Sequence, residues 1–311
     1  MKALAHNSIL DPAISVPEGQ VKRIGVVAHK GKLGPAIEVL KSFAEAHPKV
    51  SVFLNHYLKG FANKRLIAKP DAFLASKVDI LLSLGGDGTF LAAARLVCGG
   101  SIPILGVNFG RLGFLADATL NNLGRILEEI LRGEYTLRQR MLLQVEAFHK
   151  KKKLFSDFAL NEVAFTGVMG QQMIELAVTA NGRFLTDYRV DGLLVATPTG
   201  STAYNLSAAG PIVHPSATAL LLTPMNPASL SVRPLVLPDY MQLSIENLMG
   251  ADKILNLHVD GRQRGKLPPG AQVRISRNPI GLRIIRPQGS SYFGSLRSKL
   301  GWTGSRDGRT S

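Results

Sequence analysis

The sequence predicts an α/β N-terminal domain followed by a β-rich C-terminal domain, and three observations lead there. Strand-like and helix-like runs alternate up to about residue 135. From Met141 onward, short alternating or apolar runs punctuated by turn residues replace them. A glycine-rich turn, Gly85-Gly86-Asp87-Gly88, joins an apolar run that reads as a buried strand to a helix-like one inside the first half.

Residues 1–20 lack periodicity and hold Pro12, Pro17 and Gly19, so they are expected to form a flexible arm. The α/β domain is expected over residues 21–135. Residues 21–28 read as a strand, and residues 35–47 as an amphipathic helix with Ile37, Leu40, Phe43 and Ala44 on one face. A second strand is expected over 50–54. After a basic connector, 78–83 reads as a buried strand and 89–96 as a helix with Thr89 as its N-cap. Another strand follows over 102–107 and another helix over 121–132. This alternation argues for a parallel, Rossmann-like sheet with the ligand at the carboxyl ends of its strands.

The β-rich domain is expected over residues 136–287, with strands over 142–148, 154–160, 173–178, 183–188 and 193–197. Asn181-Gly182 signals a hairpin, because both positions of a two-residue turn need φ > 0. Further strands are expected over 241–246, 254–259 and 273–276, with Asp260-Gly261 as another turn. The last apolar run, 281–286, fits two readings: closure of the β domain or return to the first. Residues 288–311 form a C-terminal segment, partly returning to the first domain, and are expected to be mobile beyond about residue 296.

With 311 residues and 45% hydrophobic content, the chain is long enough for two modest domains with their own cores. The single cysteine, Cys98, excludes an intramolecular disulfide and a Cys-based zinc site, and fits a reducing cytoplasm. His6, Asn7 and Asp11 interrupt any apolar leader, and no uninterrupted apolar run reaches the length of about 18 residues that a spanning helix needs, so a soluble protein with no membrane partner is expected. A net charge of +15 calls for an anionic partner. Aromatics make up only 6% and do not interleave with basic residues, so no nucleic-acid partner is expected and a polyphosphate substrate fits better. The Walker-type phosphate loop, the complete dinucleotide glycine fingerprint and His-Glu-x-x-His spacing are all missing from the sequence.

Three polar constellations carry chemistry. In the first, glycines flanking Asp87 let the backbone turn sharply and present N–H groups at the positive end of the following helix, where a phosphate is well placed. This suits phosphoryl transfer to an alcohol, with Asp87 accepting the hydroxyl proton; an ordinary Asx turn is the alternative. In the second, residues 191–207 crowd Thr197, Thr199, Ser201 and Thr202 into a Pro/Gly-kinked turn that opens a short helix, with Ser201 or Thr202 expected to cap it. Such a loop hydrogen-bonds a sugar or phosphate, or is a polar turn without a ligand. In the third, Asn161-Glu162 interrupts an apolar strand and needs a partner, either a ribose or adenine group or a neighbouring loop. Phe114, in the glycine-rich turn 106–115, reads as a core residue.

Taken together, the residues Gly85-Gly86-Asp87-Gly88-Thr89, Asn161-Glu162, and Asp191-Gly192 running into Thr197-Pro198-Thr199-Gly200-Ser201-Thr202-Ala203-Tyr204 resemble the bacterial-type NAD kinases. Leu112-Gly113-Phe114-Leu115 and the segment from Leu222 to Pro234 support the likeness, which covers residues 21–287. The resemblance implies an active site in the cleft between the two domains. It also implies phosphorylation of the 2′-hydroxyl of the adenosine ribose of NAD, giving NADP. The donor would be ATP, or polyphosphate, and the cofactor a divalent metal cation, Mg²⁺, carried in with ATP. On the family pattern Asp87 is the proton acceptor, with Gly86, Gly88 and Thr89 around it in the nucleotide site. Phe114 packs on the adenine, and Asn161 and Glu162 hold the adenosine portion. Asp191, Thr199, Thr202, Ala203 and Tyr204, continued by Asn205 and Ser207, line the rest. Arg189 and Asn226 fall where some members contact nucleotide. Ala209 stands where many members carry glycine. The family pattern further implies a cytoplasmic homodimer or homotetramer. A lipid or sphingoid kinase sharing the first motif is the alternative, with Lys150 to Lys153 as its anionic-lipid patch.

Overall fold

The computed structural model describes residues 14–15, 19–29, 33–109, 113–168, 173–250 and 253–302. It divides into two units, one within residues 1–138 and 283–311, the other within 139–282.

In the first unit the helix Gly34–Ala46 carries Pro35 in its first turn, where a missing N–H costs nothing, and buries Ala36, Ile37, Leu40, Phe43 and Ala44 along one stripe. That stripe shares a core with Ile24, Val26, Leu82 and the helix Leu123–Leu131, which buries Leu123, Ile126, Leu127 and Ile130. Each fully buried leucine contributes about 1.5–3 kcal/mol. The sheet runs in the order Ile14–Ser15, Tyr135–Arg140, Leu282–Pro287, Ile104–Asn108, Ile80–Leu84, Arg23–Val27, Ser51–Leu54, Leu66–Ala68, with Ala118–Thr119 beside Ile104–Asn108. From Leu282–Pro287 to Leu66–Ala68 the pairing is parallel, in the register Ile284 to Ile104, Leu81 to Ile104, Ile24 to Ile80 and Ile24 to Val52. Every residue of Ile80–Leu84 is buried, as expected for a parallel strand covered on both faces.

The structure amends several expectations here. The connector after residue 54 holds a 3₁₀ turn, His56–Phe61, the strand Leu66–Ala68 and the helix Asp71–Leu74, each too short to leave a periodic signature. The helix expected from 121 begins with a 3₁₀ turn, Leu120–Asn122, closed by reciprocal hydrogen bonds between Thr119 and Asn122. Leu282–Pro287 joins the first sheet, so the β-rich unit ends at Leu282 and not at 287. Residues beyond 296 continue a helix, Tyr292–Leu300, capped by Ser291 Oγ on the Gly294 N–H (3.1 Å) and ended by Gly301 at φ 65°. Of the arm expected over 1–20, Ile14 and Ser15 pair with Leu137 and Thr136; residues 1–13, 16–18 and 303–311 lie outside the described set.

The second unit contains two antiparallel sheets. One runs Lys152–Ala159, Leu143–His149, Gln272–Arg277, Leu243–Asn247, Ile174–Ala180, Arg183–Val190. The other runs Leu235–Pro238, Ala219–Met225, Gly192–Ala196, Glu162–Thr166, Leu255–Val259, Arg262–Leu267. Leu143, Val145 and Ala147 from the first and Val163, Phe165, Leu193 and Val195 from the second fill a common core. Leu143–His149 and Ile174–Ala180 bury alternate residues, whereas Gly192–Ala196 is buried throughout. Asn181 (φ 50°) with Gly182 (φ 75°) and Asp260 (φ 46°) with Gly261 (φ 71°) form the expected two-residue turns. Lys150 and Lys151 form a third, at φ 49° and 64°, without a glycine to announce it. The strand Ala219–Met225 escapes sequence reading because Leu220, Leu221 and Leu222 do not alternate with polar residues, and Arg262–Leu267 because it is a charged sheet-edge strand.

Ala209 lies at φ 58°, in the left-handed region where a Cβ is unfavourable. The position therefore demands what glycine supplies. Ala209→Gly is expected to stabilise the protein by about 0.5–1 kcal/mol, read as a higher urea midpoint at unchanged m-value.

Candidate active site

The strand Ile80–Leu84 leads through Gly85 and Gly86 into the helix Asp87–Val97. Gly85 is at φ 147°, and a Cβ there would lie 2.5 Å from Thr89 Oγ1, so no other residue fits the turn. Thr89 is not the N-cap, contrary to expectation. Gly86, extended at φ −79° and ψ −173°, holds that place, and the Thr89 N–H already bonds the Gly86 carbonyl at 2.9 Å. Asp87 is thus the first helical residue, with its charge at the positive end of the helix. A Cβ built at Gly86 or Gly88 would meet nothing within 4 Å, which leaves open space over the turn. Asp87 Oδ1 is buried and has no hydrogen-bond partner. Beside it lies Gly113, where a Cβ would stand 2.2 Å from that oxygen. Phe114 follows, with Lys299 Nζ 5.0 Å from its ring centroid. Asp87 and the Gly113-Phe114 pair, 26 residues apart in sequence, therefore meet.

In the second unit Asn161 and Glu162 open the central strand Glu162–Thr166, with Glu162 opposite Ala196. The loop after Ala196 folds back on them. Thr197 N–H donates to the Asn161 carbonyl (2.9 Å), while Thr197 Oγ1 donates to the Leu160 carbonyl (2.6 Å) and accepts from Gly200 N–H (3.0 Å). A Cβ at Gly200 would sit 2.1 Å from the Asn161 carbonyl oxygen, so only glycine permits the approach. The loop continues as a 3₁₀ turn, Thr199–Thr202, and a short helix, Tyr204–Ser207. Neither Ser201 nor Thr202 caps it: Ser201 Oγ bonds the Pro198 carbonyl (2.7 Å) and accepts from Val213 N–H (3.1 Å), and Thr202 Oγ1 donates to the Thr199 carbonyl (3.3 Å). Asn205 is buried, donating to the Ser201 and Pro211 carbonyls and accepting from Thr223 Oγ1. Thr199 Oγ1 is buried without a partner, while Tyr204 and Ser207 are exposed beside half-buried Ala203.

Glu162 is 5% exposed, and its Oε2 has no hydrogen-bond partner. Burial pushes its carboxyl up to about 7, the neighbouring Asp260 charge adds to the rise, and the Tyr204 N–H opposes it. Asp260 accepts the Leu160 N–H on Oδ2 (3.0 Å) and the Asn161 and Glu162 N–H groups on Oδ1 (2.8 and 3.3 Å).

Arg189, Asp191 and Asn226 do not join this group. Asn226 Nδ2 donates to Asp191 Oδ2 (2.9 Å), and Arg189 Nε lies 3.8 Å from Glu175 Oε1. These residues occupy the other end of the strand Gly192–Ala196 from Thr197, a separation of about 20 Å at the usual strand rise. Sequence reasoning passed over Gly113, Gly200 and Asp260 as site-building residues. Glycine content marked the first two stretches; no local pattern links Asp260 to a motif 99 residues earlier.

Models of the ATP-NAD kinase N-terminal domain and the ATP-NAD kinase C-terminal domain match residues 36–135 and 160–286 respectively. The NAD kinase of Ralstonia nicotianae is 40% identical over 235 residues, covering 76% of this chain and 77% of its own. The chain belongs to the NAD kinase family. The NAD kinase of Nitrosospira multiformis is 41% identical over 232 residues, 74% of this chain and 78% of its own. Among solved structures, a yeast NADH kinase complexed with NADH superposes with a TM-score of 0.84 at 24% identity, covering 96% of each chain, and shares the fold. An NAD kinase from Archaeoglobus fulgidus in complex with ATP gives 0.68 at 24% identity, covering 91% of this chain and all of its own. Family membership disfavours the lipid-kinase alternative; of its patch, Lys150 to Lys153, the first two are the tight turn already described and the last two open the strand Lys152–Ala159.

Two outcomes follow from this geometry. Gly113→Ala places a methyl group on the Asp87 carboxylate, so activity falls at least tenfold while circular dichroism and Tm stay near wild type. For Glu162, the folded carboxyl titrates above its unfolded value of 4.5, so its neutral form supports the fold below about pH 4.5 and that support is lost as pH rises through about 7. The Tm advantage of Glu162→Gln over wild type is therefore larger at pH 8.5 than at pH 5, measured by calorimetry.

Proposed function

We propose that the chain transfers the γ-phosphoryl group of ATP to the 2′-hydroxyl of the adenosine ribose of NAD, giving NADP and ADP. The observation that carries this reading is Asp87 Oδ1, buried and unpartnered at the start of a helix whose glycine turn leaves open space, in a chain of the NAD kinase family. In this reading Asp87 takes the 2′-hydroxyl proton as the ribose oxygen bonds to the γ-phosphorus and the bond from that phosphorus to the β-bridging oxygen breaks. Backbone N–H groups at Gly86 and Gly88 face the phosphates, with Thr89 beside them, and Phe114 offers a ring face to the adenine. Asn161, Glu162 and the unpartnered Thr199 hydroxyl hold the adenosine portion, with Thr202, Ala203 and Tyr204 beside them.

A divalent cation, Mg²⁺, is proposed to arrive bound to the ATP phosphates. Among the described residues no group of three His, Cys, Asp or Glu side chains can hold one alone. When bound, the cation neutralises phosphate charge. We also propose a cytoplasmic homodimer or homotetramer. Leu230, Val236 and Tyr240 are exposed on and around the sheet-edge strand Leu235–Pro238, which suits burial against a second copy. Among the described residues no helix is long and apolar enough to cross a membrane.

The test is NADP formation from NAD with Mg-ATP and with polyphosphate in parallel. Product from ATP supports the reading, and absence of product from either donor in a folded sample refutes it. Asp87→Asn is expected to lower kcat by about 10²–10⁴-fold while NAD affinity and Tm stay near wild type.

A further inference from the structure

We propose that Asp260 is a positioning residue for nucleotide binding: its carboxylate clamps the backbone of Leu160, Asn161 and Glu162 and so fixes the two side chains that hold NAD. The inference rests on the role given above to Asn161 and Glu162.

Asp260 sits in the two-residue turn between Leu255–Val259 and Arg262–Leu267, at φ 46° with Gly261 at φ 71°. Val259 pairs with Val163, so the turn projects just past the strand end where Glu162 begins. From there three N–H groups converge on the two carboxylate oxygens, at 2.8 to 3.3 Å, and the Asp260 N–H returns a bond to the Glu162 carbonyl at 3.0 Å. Only a carboxylate meets this demand. An asparagine offers one accepting oxygen and would turn its NH₂ toward at least one of the three donors.

The turn alone does not explain the residue. Asparagine before glycine suits such a turn at least as well as aspartate, and this chain uses Asn181-Gly182 for one. Aspartate at 260 also carries a penalty that asparagine would not, because it is 8% exposed and lies beside the buried Glu162 carboxyl. A charge kept there despite that penalty is accounted for by the three amides that it orders. The clamp adds to the ladder pairing of Glu162 with Ala196 and reaches Leu160 and Asn161, which precede the strand, while Glu162 Oε2 stays buried and unpartnered.

The groups around Glu162 within this unit are few. The turn presents Asp260, and His258 lies on the same face of its strand, opposite Ala164. The strand Gly192–Ala196 presents uncharged Ala196, and the helix Tyr204–Ser207 presents the Tyr204 N–H, with the phenol exposed.

The experiment compares Asp260→Asn with wild type in steady-state kinetics from pH 5.5 to 9. The expected result is a KM for NAD raised about tenfold or more with kcat within about threefold, and an ionisation in the KM profile that moves to lower pH because the neighbouring charge is gone. A folded variant with unchanged KM and profile, whatever its Tm, overturns the proposal. If Asp260→Asn does not fold, amide exchange in the wild-type protein decides. Leu160, Asn161 and Glu162 are expected to be protected before NAD is added; protection that appears only with NAD overturns the clamp. A wild-type protein that makes no NADP refutes the functional reading itself, whereas an active wild type beside an unaltered Asp260→Asn refutes only the role of Asp260.

Discussion

The backbone at Asn161 is where three distant segments of the second unit are tied together. Its carbonyl accepts from Thr197 N–H and lies against Gly200, and its own N–H is taken by Asp260. Each contact uses a group that a strand end leaves unpaired, and burial makes leaving it unpaired costly. The hydroxyl-rich loop, the Asp260 turn and the Asn161-Glu162 pair therefore hold their positions jointly. Replacing any one of Gly200, Thr197 or Asp260 disturbs the other two.

In the first unit the same economy works through absent side chains. Gly85 lets Thr89 close the turn, and Gly113 leaves room for the Asp87 carboxylate. The helix Asp87–Val97 then holds that carboxylate at its positive end, in a position set by a fully buried strand. Rigid elements thus aim a single polar atom with no internal partner, which suits a group that must exchange a proton with a ligand.

Much of this was legible in the sequence, for reasons that differ from element to element. Strand and helix periods announced the parallel sheet, and Asn181-Gly182 announced its hairpin, because period and positive φ are local properties. Asp87 and Asn161-Glu162 stood out as polar residues where local pattern called for apolar or small ones. Thr89 misled because a threonine ahead of an apolar run is a good cap on average, yet Gly86 already had the extended backbone that a cap requires. Asp260 and Gly113 were illegible as site residues because their importance lies in contacts 99 and 26 residues away. The return of Leu282–Pro287 to the first sheet was undecidable locally, since an apolar run fits either sheet equally well.

That returning strand imposes an order on synthesis. Ile104 receives its neighbour Ile284 only after about 180 further residues have been made, which at ribosomal speeds of 5–20 residues per second takes roughly 9–36 s. Throughout that interval the strand Ile104–Asn108, paired with Ile80–Leu84 on one side, leaves the other edge open at Ile104, the condition under which nascent chains seek a partner elsewhere. The unit within residues 139–282 has no such dependence on the C-terminus and emerges whole before the last strand does. The β-rich unit is thus free to fold first, and the sheet that carries Asp87 is completed last.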